Sequence, residues 1–198
     1  MLFHKDHVGF MKFFFLFFFS FSTFATEVRT VDYVDLERYL GTWYEIASIP
    51  QRFQKNCYSH TQAEYSFASN GQIKVINSCL TQNEEQEMVE GRAKVAIDDG
   101  SNAKLKVTFV RFLDWVYLFA GNYWIIDLAN DYSYAVVGDP TAQYAWILSR
   151  TPSLPLQSLE MAKRALISNG YDLCQLMTSI QDGGFTEKRP LCEEFPFF

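Results

Sequence analysis

The chain has 198 residues and a formal net charge of −6, and 17% of it is aromatic, with 19 phenylalanines and 11 tyrosines. That length suits one domain with a sizeable buried core. The acidic balance, with no basic stripe anywhere, excludes nucleic acid as a partner.

Much of the phenylalanine lies at the amino terminus. Lys12 precedes an apolar run from Phe13 to Phe21, and Thr23-Phe24-Ala25 then puts small residues where a signal peptidase reads. The run falls short of the roughly 20 residues a membrane helix needs before polar Thr26-Glu27-Val28-Arg29 begins. Residues 1–25 are therefore expected to be a signal peptide cleaved after Ala25, starting at Met1 or Met11, with an uncleaved anchor as the alternative. No cysteine lies in or just after this segment, so no lipid attachment is expected. Export places Cys57, Cys79, Cys174 and Cys192 in an oxidising compartment, where an even count favours two disulfides. Zinc is the rival reading, but no pair has the two-residue spacing of a metal knuckle.

Gly41-Thr42-Trp43-Tyr44 opens the first strand. Glycine turns the chain sharply there, and Trp43 needs a closed, mostly dry site with one partner for its N–H. Seven more strand-like runs follow, at residues 57–67, 72–80, 86–95, 104–110, 118–128, 132–138 and 144–149. Ala68-Ser69-Asn70-Gly71 is a hairpin signal. Pairing Phe67 with Gln72 and counting outward brings Cys57 opposite residues 79–82, which pairs Cys57 with Cys79 and leaves Cys174 for Cys192. Eight antiparallel strands in sequence order, joined by short links, predict an all-β, up-and-down barrel that closes on itself and is wide enough for one small ligand. Alternation turns Ile73 and Val75 inward, with Val89, Gly91, Ala93 and Val95, and Leu105, Val107 and Phe109. The small face of the run at 86–95 leaves room inside. After Arg150-Thr151-Pro152 the period changes: Ser153 is expected to cap one helix, Pro155 to sit in its first turn, Leu159, Ala162 and Leu166 to form its apolar stripe and Gly170 to end it. That helix would lie on the outside of the barrel. Residues 26–180 would form barrel plus helix, and 181–198 a tail tethered by the second disulfide.

These residues resemble the lipocalin family. Gly41-Thr42-Trp43-Tyr44 resembles its first signature, Asn130-Asp131-Tyr132-Ser133-Tyr134 a shortened form of its second, and Arg150 its third. Arg38 to Ala47, Ala63-Glu64-Tyr65-Ser66, Lys74-Val75-Ile76-Asn77, Glu90-Gly91 and Trp146 to Pro152 are similar to the bacterial lipocalin and apolipoprotein D branch. The resemblance spans about residues 31–172. It implies a structural role for Gly41, Trp43 and Arg150, with Arg150 packed over Trp43 to seal one end. It departs in lacking the lipobox cysteine of many bacterial members, and the tail after Gln181 matches nothing in the family.

The resemblance implies uptake of a hydrophobic small molecule or lipid, such as a fatty acid or lysophospholipid, with its polar head left at the mouth and no bond made or broken. It places Tyr65, Trp146 and Leu148 on the cup wall. Alternation adds Ile73, Val75, Val89, Leu105, Val107, Phe109, Tyr123, Ile125, Ala135 and Val137. Arg111, Asp114 and Trp115 are expected to be solvated loop residues. Neither a cofactor nor a metal is expected. Membrane lipids would be the ligand source, and the protein would be a periplasmic or secreted monomer or homodimer, with outer-membrane association left open. Two other classes compete. A lipocalin-type enzyme would need Cys57 or Cys79 as a free nucleophile, since His4 and His7 precede the mature chain and leave only His60. A protein-interaction module would use the Phe-rich tail.

Overall fold

A computed structural model of the protein describes residues 27–194. The expected signal peptide and the last four residues of the tail lie outside the described residues.

After a short helix α1 (Leu36–Tyr39), the chain forms β1 (Gly41–Ser48), β2 (Ser59–Phe67), β3 (Ile73–Leu80), β4 (Gln86–Val95) and β5 (Lys104–Thr108). A small hairpin, β6 (Arg111–Phe112) and β7 (Asp114–Trp115), leads to β8 (Gly121–Leu128), β9 (Tyr134–Gly138) and β10 (Ala145–Ser149). Barrel strands pair antiparallel in chain order, and β10 pairs back onto β1 through Tyr44↔Ser149 and Ser48↔Trp146. The sheet thus closes as an eight-stranded barrel, leaving no free edge. Helix α2 (Leu156–Ser168) packs on its outside, and a last short strand, β11 (Met177–Thr178), pairs with β1 at Ala47 and Ser48.

Two apolar clusters divide the protein. One fills the barrel: Trp43, Ala63, Tyr65, Ile73, Val75, Ala93, Leu105, Ile125, Ala135, Val137 and Leu148. The other lies between the wall and α2, where Ile46, Ala47, Tyr134, Val136, Ala145 and Ile147 meet Leu159, Ala162 and Leu166. This explains why β9 is buried at every position: alternate residues face the interior and the helix, and both faces are dry.

The register differs from expectation by one residue at the first hairpin. Phe67 pairs with Ile73, because Ala68 and Gln72 close a three-residue loop in which Gly71 takes φ +77°. An irregularity between Ser59 and Gln62 then shifts the pairing back, so Ser59 faces Leu80. Cys57 is bonded to Cys79, with Cα atoms 5.5 Å apart, and Cys174 to Cys192. The helix start also differs. Pro155 occupies the cap position itself, and Ser153 offers its carbonyl to Thr151 Oγ1 without capping. At the other end Gly170 follows the cap residue Asn169 with φ +82°, as a C′ glycine should. Six strands are shorter than predicted at one end: β2 starts at Ser59, β3 at Ile73, β9 at Tyr134 and β10 at Ala145, β5 stops at Thr108, and a 3-10 turn over Tyr117–Phe119 delays β8 to Gly121.

Candidate functional site

Exposure along the inward positions gives the barrel a direction. On β5 Leu105 is buried, Val107 half-buried, and Phe109 beyond the strand end 37% exposed. On β4 the order runs from buried Ala93 and Gly91 to Val89, 45% exposed. Ile125 and Tyr123 on β8, and Leu148 and Trp146 on β10, repeat the step from buried to half-buried. All four gradients point to the same end. The barrel is a cup, packed at its floor and reached by water in its upper half.

The floor is built around Trp43, which is wholly buried and donates its indole N–H to the Tyr39 carbonyl at 2.8 Å. The Arg150 guanidinium lies 3.8 Å over the indole and donates to the carbonyls of Thr42 (2.9 Å) and Arg38 (2.7 Å). Gly41 has φ +91°, and a Cβ there would stand 3.4 Å from Arg150 Nη1. Above Trp43 the Tyr39 ring lies tilted at 4.9 Å, Tyr65 follows at 5.8 Å from Tyr39, and Tyr123 at 6.2 Å from Tyr65. Tyr123 Oη lies 2.9 Å from Tyr39 Oη and 3.1 Å from Tyr65 Oη. Burial pushes the Tyr65 phenol up to about 12. Burial also raises Tyr39, reinforced by its neighbour Tyr65, and raises Tyr123 well above the ordinary tyrosine value. All three therefore stay protonated near neutral pH.

The sequence-predicted wall residues divide by depth. Tyr65, Ile73, Val75, Leu105, Ile125, Ala135, Val137 and Leu148 belong to the buried interior cluster, while Val107, Tyr123 and Trp146 pack against it half-buried. Val89 and Phe109 stand at the rim instead. The Phe109 ring occupies the space beside Gly91, where a Cβ would come within 2.7 Å of it. Sequence reasoning missed Tyr39 as an interior residue, because it precedes the first strand and belongs to no alternating run. Asn77, on the parity of Ile73 and Val75, was available from alternation.

The rim is uneven. Between β5 and β8, Phe112, Leu113 and Leu118 are 77, 95 and 83% exposed, and Phe119 is exposed beside them. Thr108 Oγ1 donates to the Val116 carbonyl at 2.7 Å and anchors this loop. Arg92 and Arg111 lie over the Trp115 ring and Lys94 over Tyr117. Trp115 is thus held between cations, where solvation was expected. Across the rim a polar groove is lined by Lys55, Asn56, Thr81, Gln82, Glu85 and Lys188.

No cluster of metal-ligating side chains occurs among the described residues. Both barrel cysteines are committed to a disulfide, which removes them as nucleophiles. His60 sits in the irregularity of β2, with its ring between Ser59 Oγ at 2.8 Å and Asp182 at 3.1 Å, away from the cup.

The family described as "Lipocalin-like domain" matches residues 34–181. Apolipoprotein D of Rattus norvegicus is 40% identical over 156 residues, covering 74% of this chain and 77% of that protein. Temperature-induced lipocalin-1 of Arabidopsis thaliana is 36% identical over 152 residues, covering 76% and 81%. Outer membrane lipoprotein Blc of Citrobacter freundii is 36% identical over 157 residues, covering 79% and 84%. Among solved structures, insecticyanin of the tobacco hornworm Manduca sexta superposes with a TM-score of 0.62 at 22% identity, covering 83% of this chain and 93% of that one, a likeness of fold alone.

Proposed function

The chain belongs to the lipocalin family, and from that premise we propose that its cup carries a single-chain amphiphile, a fatty acid or lysophospholipid, drawn from membrane lipids. Lipocalins generally bind small hydrophobic ligands. The observation that carries the finer reading is the gradient from a sealed, apolar floor to a half-open upper wall at Val107, Tyr123 and Trp146. Such a site takes alkyl chain out of water at about 0.8 kcal/mol per CH₂. Binding without catalysis fits the loss of Cys57 and Cys79 to a disulfide.

The site of action in this reading is the cell envelope or the exterior, as a soluble monomer or homodimer released by cleavage after Ala25. Two disulfides suit an oxidising compartment. Among the described residues no helix is long and apolar enough to cross a membrane. Uptake from a membrane is supported by the exposed Phe112, Leu113, Leu118 and Phe119 beside the mouth.

Tryptophan fluorescence tests the reading directly, since Trp146 faces the cup. Titration with fatty acids and lysophospholipids should give quenching with Kd below about 100 μM, roughly −5.5 kcal/mol. Absence of binding by both classes would sink it.

A further inference from the structure

The hydroxyls of Tyr39, Tyr65 and Tyr123 form a chain with one proton too many. Each phenol donates once, so three hydroxyls carry three donors, while the two contacts at 2.9 and 3.1 Å use only two. None of the three hydroxyls has another hydrogen-bond partner among the described residues. Whichever way the chain runs, one O–H is left without an acceptor. Only phenylalanine at all three positions would have avoided that cost in an apolar barrel, since two hydroxyls in contact still leave one donor unused.

Tyr39 and Tyr65 are buried, and Tyr123, half-buried, is the most exposed of the three. Burial raises Tyr39 and Tyr65, and the Arg150 charge beneath the floor offsets part of that rise. A buried carboxylate on β1, Glu45, is engaged elsewhere. Glu45 is held at the seam between β1 and the tail by Ser48, Ser179 and Gln54.

We propose that this hydroxyl chain anchors the carboxylate of an acidic amphiphile, which enters head first with Tyr123 as the donor and its alkyl tail toward the mouth. The inference rests on the lipid-binding reading and reverses the orientation expected from the sequence. It also divides the two candidate ligands. A monocarboxylic acid has a head compact enough to reach Tyr123, whereas a lysophospholipid has to enter tail first and leave its head at the mouth.

The test uses palmitic acid labelled with ¹³C at the carboxyl group and lysophosphatidylcholine, with the mature protein and its Tyr123→Phe variant. Tyr123→Phe should weaken palmitate about tenfold and leave lysophosphatidylcholine within about twofold. In the unsubstituted protein the bound carboxyl resonance should not follow bulk pH between about 4 and 8, a readout that needs no variant to fold. Equal palmitate affinity in the variant, or a carboxyl group that titrates as in free solution, overturns head-first binding but leaves the lipid-binding reading standing. Failure of both ligands to bind the unsubstituted protein overturns both.

Discussion

Trp43 and Arg150 make one unit at the residue scale. The indole fills the bottom of the barrel, and its only polar atom is satisfied by the Tyr39 carbonyl at 2.8 Å. Arg150 covers the other face at 3.8 Å while its guanidinium ties the backbone of Thr42 and Arg38. One side chain thus closes the floor and fixes the segment before β1 to the end of β10. Removing the ring leaves a cavity between groups that are held by backbone bonds and cannot collapse into it. Trp43→Ala should therefore cost about 3–5 kcal/mol in denaturant unfolding. A variant that kept wild-type stability and lost only ligand would place the tryptophan among the binding residues and not in the floor.

At the scale of elements, the carboxyl-terminal segment completes the wall. β1 pairs with β2 only from Gly41 to Tyr44 and then diverges from it. The gap is filled by β11 and by Gln181, whose Nε2 donates to the Glu45 carbonyl of β1 (3.0 Å) and the Thr61 carbonyl of β2 (2.8 Å). Leu191 is buried in the helix-side cluster, and Cys174–Cys192 closes the 18-residue span between these pieces. Replacing both cysteines by serine should lower stability by about 3 kcal/mol. Hydrogen exchange should show the Thr178 and Ser179 amides losing protection before those of β3 and β4. Uniform loss across the barrel would mean the tail is not a separate element. The barrel strands were legible because alternation and turn residues such as Asn70-Gly71 and Asp139-Pro140 punctuate them. β11 was not, since two residues carry no period and are held by partners distant in sequence. The hairpin register was missed by one residue because Ala68 and Gln72 close a three-residue loop, one position longer than the turn residues alone reveal. In the cup, alternation named the wall but not its depth: Val89 and Phe109 share the parity of Ala93 and Leu105 and differ only in distance from the floor. The Tyr39–Tyr123 contact joins residues 84 apart and left no local trace.

The whole molecule is asymmetric about its mouth, and that asymmetry bears on how a ligand arrives. One side of the rim is polar, with Lys55, Glu85 and Lys188, whereas the other projects Phe112 and Leu113 from the tip of the β6–β7 hairpin. Nothing in the fold needs apolar side chains there: Leu113 is 95% exposed and has φ +60°, a conformation costly for a branched residue. Exposed apolar groups beside Arg111 match the boundary of an anionic bilayer, where the rings enter the headgroup region and the cation stays among phosphates. Docked in this way, the mouth would face the membrane and lipid would pass into the cup without crossing bulk water. Phe112→Ser combined with Leu113→Ser should reduce co-sedimentation with phosphatidylglycerol vesicles several-fold and slow the transfer of fatty acid from those vesicles. Affinity for fatty acid presented in solution should stay the same, because neither residue belongs to the interior cluster. Raising the salt concentration should weaken vesicle binding of the unsubstituted protein through Arg111. Unchanged sedimentation in the double variant would show that the apolar tip does not contact the bilayer, and delivery would then have to occur through the aqueous phase.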